Sequence, residues 1–126
     1  KRMSDAFYVG VDVGTSSVRA CVADVDGKIL SVNVKDITIW NPSLEHYQQS
    51  SDDIWEAVIY TVKAAVSEAK VNPESIMGIG FDATCSMVVL DSKFKPLTVS
   101  LTGEADQNII MWMDHRAQKE VDKINA

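Results

Sequence analysis

Phe7–Arg19 reads FYVGVDVGTSSVR. Phe7 to Val13 is a short run rich in β-branched and aromatic residues, and Gly14-Thr15-Ser16-Ser17 is a turn-forming set. The pattern predicts a strand that carries Asp12 to its end and then turns tightly. Beyond the turn, Val18 to Val25 alternates, with Val18, Ala20 and Val22 on one face and Arg19, Cys21 and Ala23 on the other. Asp26-Gly27 is a strong hairpin signal. Lys28 to Ile39 alternates again, Ile29 pointing one way and Leu30, Val32 and Val34 the other. Three consecutive antiparallel strands joined by tight turns are therefore expected.

A polar connection containing Pro42 leads through Gln48-Gln49-Ser50-Ser51 into a different period. Ser50 or Ser51 suits a helix N-cap, and Asp52 and Asp53 would sit favourably in the first turn. Ile54, Val58, Val62, Ala65 and Ala69 form a stripe that Trp55, Ile59 and Val66 broaden, which predicts an amphipathic helix to about Lys70 with this stripe in the core. After Asn72-Pro73, Ile76 to Asp82 reads as a buried strand and Met87 to Leu90 as another. Pro96 to Gln107 is loop-like, Ile109 to Trp112 is a last apolar run, and Arg116 to Ala126 begins a helix. Hairpins followed by a helix that crosses to a parallel neighbour suit an α/β domain with a mixed sheet. They fit poorly with a doubly wound parallel sheet, in which a helix follows the first strand.

The chain has 126 residues, 46% apolar and 24% charged, which is ordinary globular usage, predicts one domain and argues against disorder. The net charge of -6 argues against a protein that grips a nucleic-acid backbone. A phosphate ligand stays open, because backbone N–H groups bind phosphate without net positive charge. Cys21 and Cys85 make neither a disulfide framework nor a metal spacing, so a reduced, cytoplasmic setting is expected. No apolar run approaches the roughly 20 residues of a membrane span. Lys1-Arg2-Met3-Ser4-Asp5 meets an acid before any apolar stretch, so no signal peptide is expected.

Three groups of residues bear chemistry. In Asp12-Val13-Gly14-Thr15-Ser16-Ser17-Val18-Arg19, a strand delivers a carboxylate, Gly14 lets the backbone approach a ligand, hydroxyls follow, and Arg19 supplies a fork for phosphate oxygens. That is a candidate phosphate cradle with Asp12 placed to hold Mg²⁺, directly or through water; an ordinary hairpin turn is the alternative. Neither a P-loop nor G-x-G-x-x-G is present. An Asp-nucleophile phosphatase would need a second acid two positions after Asp12, where Gly14 stands. In Phe81-Asp82-Ala83-Thr84-Cys85-Ser86, small polar residues end a strand; Asp82 could accept a hydrogen bond from a substrate hydroxyl, and Cys85 could equally be a small buried hydrophobe. In Trp112-Met113-Asp114-His115-Arg116, Trp112 could face an apolar sugar surface, Asp114 or Arg116 its hydroxyls, and His115 could act as a general base. Asp114 is also a good N-cap for the following helix.

These segments resemble the amino-terminal domain of the FGGY carbohydrate kinases, in particular the ribulokinase-like, FGGY-domain-containing group. The resemblance is carried by FYVGVDVGTSSVRA at Phe7–Ala20, HYQQSSDDIWEA at His46–Ala57, GIGFDATCSMVVLD at Gly78–Asp91 and IIMWMDHRA at Ile109–Ala117. It implies a ribonuclease H-like, actin-type α/β domain, and ATP-dependent phosphorylation of a sugar or polyol hydroxyl, with a pentulose such as D-ribulose as first candidate. It implies Asp12 near the catalytic Mg²⁺, and Gly14, Thr15, Ser17 and Arg19 around the ATP phosphates. It implies Thr84, Cys85 and Ser86, with Trp112, Asp114 and Arg116, along the sugar pocket. Gln48-Gln49 departs from the usual acid followed by Gln. In the family the base Asp and the adenosine-binding lobe lie further along, so residues 1–126 are expected to be a partial amino-terminal domain, inactive alone. The resemblance leaves a homodimer of the full-length enzyme open. The rival reading is a non-catalytic actin-like binding module or a truncated form.

Overall fold

Alternation from Phe7 onward becomes an antiparallel meander. The computed structural model describes residues 6–126; the Lys1–Asp5 segment, read above for a signal peptide, lies outside them. Strands β1 (Phe7–Val13), β2 (Ser17–Asp24) and β3 (Ile29–Asp36) pair in sequence. The register sets Asp12 opposite Arg19 and Gly10 opposite Cys21. At the β2–β3 turn, Asp24 Oδ1 accepts the N–H groups of Asp26 and Lys28, each at 3.0 Å. Gly27 there has φ +81°, a conformation that favours glycine.

The remaining elements are β4 (Gln48–Gln49), α1 (Ser51–Ala69), a single 3-10 turn at Pro73–Ser75, β5 (Ile76–Ala83), β6 (Met87–Val88), β7 (Ile109–Ile110) and α2 (Gln118–Asn125). One sheet has the order β3-β2-β1-β5, with β5 parallel to β1; a smaller one has the order β4-β7-β6. The expected mixed α/β sheet, opening with three antiparallel strands, is present. By chain contacts the molecule forms two compact units, one of residues up to Ile37 with Ile54–Thr84, the other of Thr38–Asp53 with Cys85–Ala126. Among the described residues no helix is long and apolar enough to cross a membrane.

In the first unit, Val9, Val11 and Val13 of β1 and Val18, Ala20 and Val22 of β2 bury one sheet face against Ala57, Val58 and Ala65 of α1. Val18 and Val22 are wholly buried, and each such side chain contributes about 2 kcal/mol relative to exposure. The stripe on α1 differs from expectation. Ala57 and Thr61 lie at its centre, whereas Trp55 is 59% exposed. Thr61 is tolerated there because its Oγ1 donates to the Ala57 carbonyl at 2.9 Å. Strand β5 is not buried as its composition suggests. Met77, Ile79 and Phe81 are exposed, because α1 packs its buried residues on β1 and β2. On β3 the polar residues face the helix. Ser31 Oγ donates to the Ala65 carbonyl at 2.7 Å, Asn33 Nδ2 donates to Glu68 Oε1 at 3.1 Å, and the Lys35 ammonium lies 5.1 Å from the Tyr60 ring centre.

In the second unit, Gln48, Gln49 and Asn108 are buried, as is Met111. The N-cap of α1 is Ser50, whose Oγ accepts the Asp53 N–H at 3.3 Å. Asp114 is not the cap of α2: that position falls to Ala117, which makes no side-chain capping bond. The carboxylate of Asp114 is drawn instead to a nearer cation and a distant amide, described below.

Candidate active site

Strand parity decides what the end of β1 presents. With Val9, Val11 and Val13 buried, Gly10 and Asp12 face the opposite side of the sheet. Arg19 and Cys21 join them from β2, and Gly80 and Asp82 from β5, where Gly80 is the register partner of Gly10 and Asp82 that of Asp12. These residues, with Val11 and Phe81, line an open hollow of about 390 Å³. Its floor is bare backbone at the Gly10–Gly80 pair. Across it, Arg19 Nη1 donates to Asp12 Oδ2 at 2.7 Å, with the two side chains 46% and 53% exposed. A half-exposed ion pair of this kind is weakly held, so each partner is available to a charged ligand.

The turn after β1 is closed by the Gly14 N–H donating to the Ser17 carbonyl at 3.0 Å. A Cβ on Gly14 would stand 3.0 Å from Arg19 Nη1 and 3.3 Å from the Ser17 carbonyl oxygen. Glycine is therefore what lets the guanidinium lie across the turn. Thr15 is partly exposed beside it, whereas Ser17 is buried, so Ser17 acts in the turn by its backbone. Gly14→Ala is expected to displace Arg19 and break its 2.7 Å bond to Asp12. A crystal structure of the variant checks this.

Asp12 and Asp82 supply hard oxygen donors, the kind Mg²⁺ takes one or two of alongside water and phosphate. Asp82 Oδ1 accepts the Ala83 N–H at 3.0 Å. Among the described residues no group of three or more His, Cys, Asp and Glu is placed to hold a metal by itself. The residues thus fit a cation that arrives with phosphate oxygens. Thr84 follows β5, and its N–H donates to the Val13 carbonyl at 3.1 Å. The last residue of β1 and the first beyond β5 are thereby tied together at the carboxyl ends of two parallel strands, where α/β sheets bind ligands.

The second unit holds the other candidates. Cys85 is exposed rather than a buried hydrophobe. Ser86 Oγ accepts the Trp112 N–H at 3.2 Å, and Trp112 is 56% exposed. The Asp114 side chain is 1% exposed and forms a fork-to-fork pair with Arg116, through Nε to Oδ1 and Nη2 to Oδ2, both at 2.8 Å. Asp114 Oδ2 also accepts the Tyr47 N–H at 2.7 Å, and Oδ1 the Arg116 N–H at 3.0 Å. Arg116 Nη1 donates to the Val99 carbonyl at 2.8 Å. His115 is exposed, and its backbone N–H donates to the Glu45 carbonyl at 3.0 Å.

Burial alone would push the Asp114 carboxyl up. The Arg116 side-chain bonds, the Tyr47 and Arg116 amides and the Arg116 charge outweigh it and hold the carboxyl below its ordinary value of 3.8. A carboxyl depressed on folding stabilises the fold fully above its unfolded-state pKa, and that contribution is lost as pH falls through the lower folded-state value. The second unit should therefore loosen as the pH falls below 3.8, and Asp114→Asn should remove that part of the acid dependence. Acid denaturation curves of the two proteins compare them directly.

The description "FGGY family of carbohydrate kinases, N-terminal domain" matches residues 7–126. The chain belongs to the FGGY family. It is 51% identical over 121 residues to an FGGY carbohydrate kinase domain-containing protein of Xenopus laevis, covering 96% of this chain and 22% of that protein. It is 51% identical over 123 residues to a D-ribulokinase of Saccharomyces cerevisiae, covering 95% of this chain and 17% of that one. The chain thus spans about a fifth of the length of these relatives. A solved xylulose kinase from Lactobacillus acidophilus superposes with a TM-score of 0.82 at 21% identity, over 95% of this chain and 22% of that structure. At that identity the likeness shows the fold, and the actin-type α/β class expected of an FGGY amino-terminal domain holds.

Within this FGGY domain, Asp12 and Arg19 line the hollow, and Gly14 lies against the Arg19 guanidinium at the turn. Ser86 and Trp112 meet in the second unit, as do Asp114 and Arg116. Gly10, Cys21 and Gly80 line the hollow although nothing in the sequence reading singled them out. Parity could have found the first two: Gly10 is two residues before Asp12 and Cys21 two after Arg19. Gly80 requires knowing the parallel register with β1.

Proposed function

We propose that the longer protein to which this chain belongs transfers the γ-phosphoryl group of ATP to a hydroxyl of a small sugar or polyol, with a pentulose, D-ribulose first, as acceptor. The observation that carries this reading is the Asp12–Arg19 pair laid across Gly14 at the mouth of an open hollow. The choice of sugar is supported by the 51% identity to a D-ribulokinase over 95% of the chain.

Phosphoryl transfer is mostly positioning and charge stabilisation. Arg19 offers a planar cation to phosphate oxygens. Asp12, with Asp82 beside it, would hold Mg²⁺ through its carboxylate and bound water. When bound, that ion offsets charge on the phosphate oxygens. Gly14 leaves room for Arg19 across the turn, and the bare floor at Gly10 and Gly80 leaves room for phosphate beside it. Trp112 presents an aromatic surface suited to the apolar side of a sugar. Cys21 and Cys85 are both free thiols, which supports a cytoplasmic enzyme.

The test is ADP release by the full-length protein with D-ribulose, L-ribulose, xylulose and glycerol, with and without Mg²⁺. Sugar-dependent turnover that needs the ion and is fastest on D-ribulose is expected. No turnover with any of these acceptors overturns the reading, and preference for glycerol overturns the pentulose as its acceptor.

A further inference from the structure

We propose that Asp114 and Arg116 are positioning residues, which hold Trp112 and Ser86 in place for the sugar and do not themselves touch its hydroxyls; this rests on the sugar-kinase reading above. A carboxylate has about four lone-pair sites, and Asp114 fills them with the Arg116 N–H, Arg116 Nε, Arg116 Nη2 and the Tyr47 N–H. At 1% side-chain exposure it has neither a free acceptor nor a path to a ligand. Arg116 is 20% exposed, and the end of its fork that does not face Asp114 reaches the Val99 carbonyl.

The clasp surrounds a tight turn. The Asp114 N–H donates to the Met111 carbonyl at 3.0 Å, which places Trp112 and Met113 at the turn's tip. Both ends of that turn are fastened to Tyr47: the Met111 N–H donates to its carbonyl at 3.0 Å, and Asp114 Oδ2 accepts its N–H at 2.7 Å. Val99 is gripped twice, by Arg116 Nη1 and by Gln48 Nε2 at 3.3 Å. From this fixed turn the Trp112 side chain stands 56% exposed while its backbone N–H meets Ser86 Oγ. Site residues work when neighbouring groups lock their geometry, and small displacements are expensive.

The experiment sets variants of the full-length protein against D-ribulose and analogues each lacking one hydroxyl. Asp114→Asn should raise the sugar KM roughly tenfold, leave the ATP KM unchanged, and do so by the same factor on every analogue. Arg116→Lys should give the same pattern. The double variant should be no worse than the poorer single one, because the two residues act as one clasp. A carboxylate that bound a hydroxyl would instead leave one analogue indifferent to Asp114→Asn, and that result, or an unchanged sugar KM in both variants, overturns the proposal. If Asp114→Asn does not fold, Arg116→Lys carries the analogue comparison alone. A wild-type protein with no sugar-dependent ADP release brings down the kinase reading and the clasp's role with it. An active wild type with an indifferent analogue brings down the clasp alone.

Discussion

Asp12→Asn in the full-length protein should lower kcat/KM about 10³-fold, the scale seen when one charge-organising group leaves a preorganised site. Its melting temperature should barely move. The two halves of that expectation come from the same geometry. Asp12 pairs only with Arg19 among the hydrogen bonds described, at 2.7 Å, and both side chains are about half exposed. Such a pair contributes at most about 1 kcal/mol to stability. The amide keeps the shape of the carboxylate but not its charge, so the hollow retains Arg19 and loses its main anion. Asp82, the register partner of Asp12, leaves one acid behind, and raised Mg²⁺ should restore part of the rate. Coupled ADP-release assays over an Mg²⁺ series, beside a thermal melt, measure both. Wild-type turnover in this variant would remove Asp12 from the chemistry.

Asn108→Ala should act in the opposite sense, with a large loss of stability. Asn108 is wholly buried. Its Oδ1 accepts the Ser51 N–H at 2.9 Å, and its Nδ2 donates to Ser51 Oγ and the Val89 carbonyl, each at 3.0 Å. Alanine would leave the Ser51 amide and the Val89 carbonyl, both on partly buried residues, without the partner that now satisfies them. Each stranded group costs about 1–3 kcal/mol, so a loss of roughly 3 kcal/mol is expected. The denaturant midpoint of the full-length protein should fall, and the Ser51 amide, at the start of α1, should exchange its hydrogen faster. An unchanged exchange rate at Ser51 would show that the side chain does not hold the helix start.

The strands and the long helix were legible because their signals are local. Phe7–Val13 was bounded at both ends by composition alone, and Asp26-Gly27 marked its own turn. Burial was less legible. Trp55, Ile59 and Phe81 are as hydrophobic as any core residue, yet they line a shallow apolar hollow of about 210 Å³. Hydrophobicity states a preference and does not say whether a neighbour exists to satisfy it. Asp114 illustrates the same limit for polar groups. An aspartate before a helix seeks N–H donors, but the ones it found belong to Tyr47, 67 positions away, and to a guanidinium two positions on. Sequence spacing shows only the second of these. The inverted face of β3 was half visible: its alternation was plain, but which side the helix covers depended on bonds from Ser31 and Asn33 to a helix more than 30 residues later.

The short connection between β1 and β2 has a consequence for how this loop can change over time. Side chains on a strand swap faces with every residue. A slip of β2 by one residue would send the guanidinium of Arg19 in among the valines and bring Val18 out to confront Asp12. Burial of Val18, Ala20 and Val22 forbids that slip. A residue added between Gly14 and Ser17 would therefore have to bulge within the turn itself, and the placement of Arg19 is insured by the oily side of its own strand.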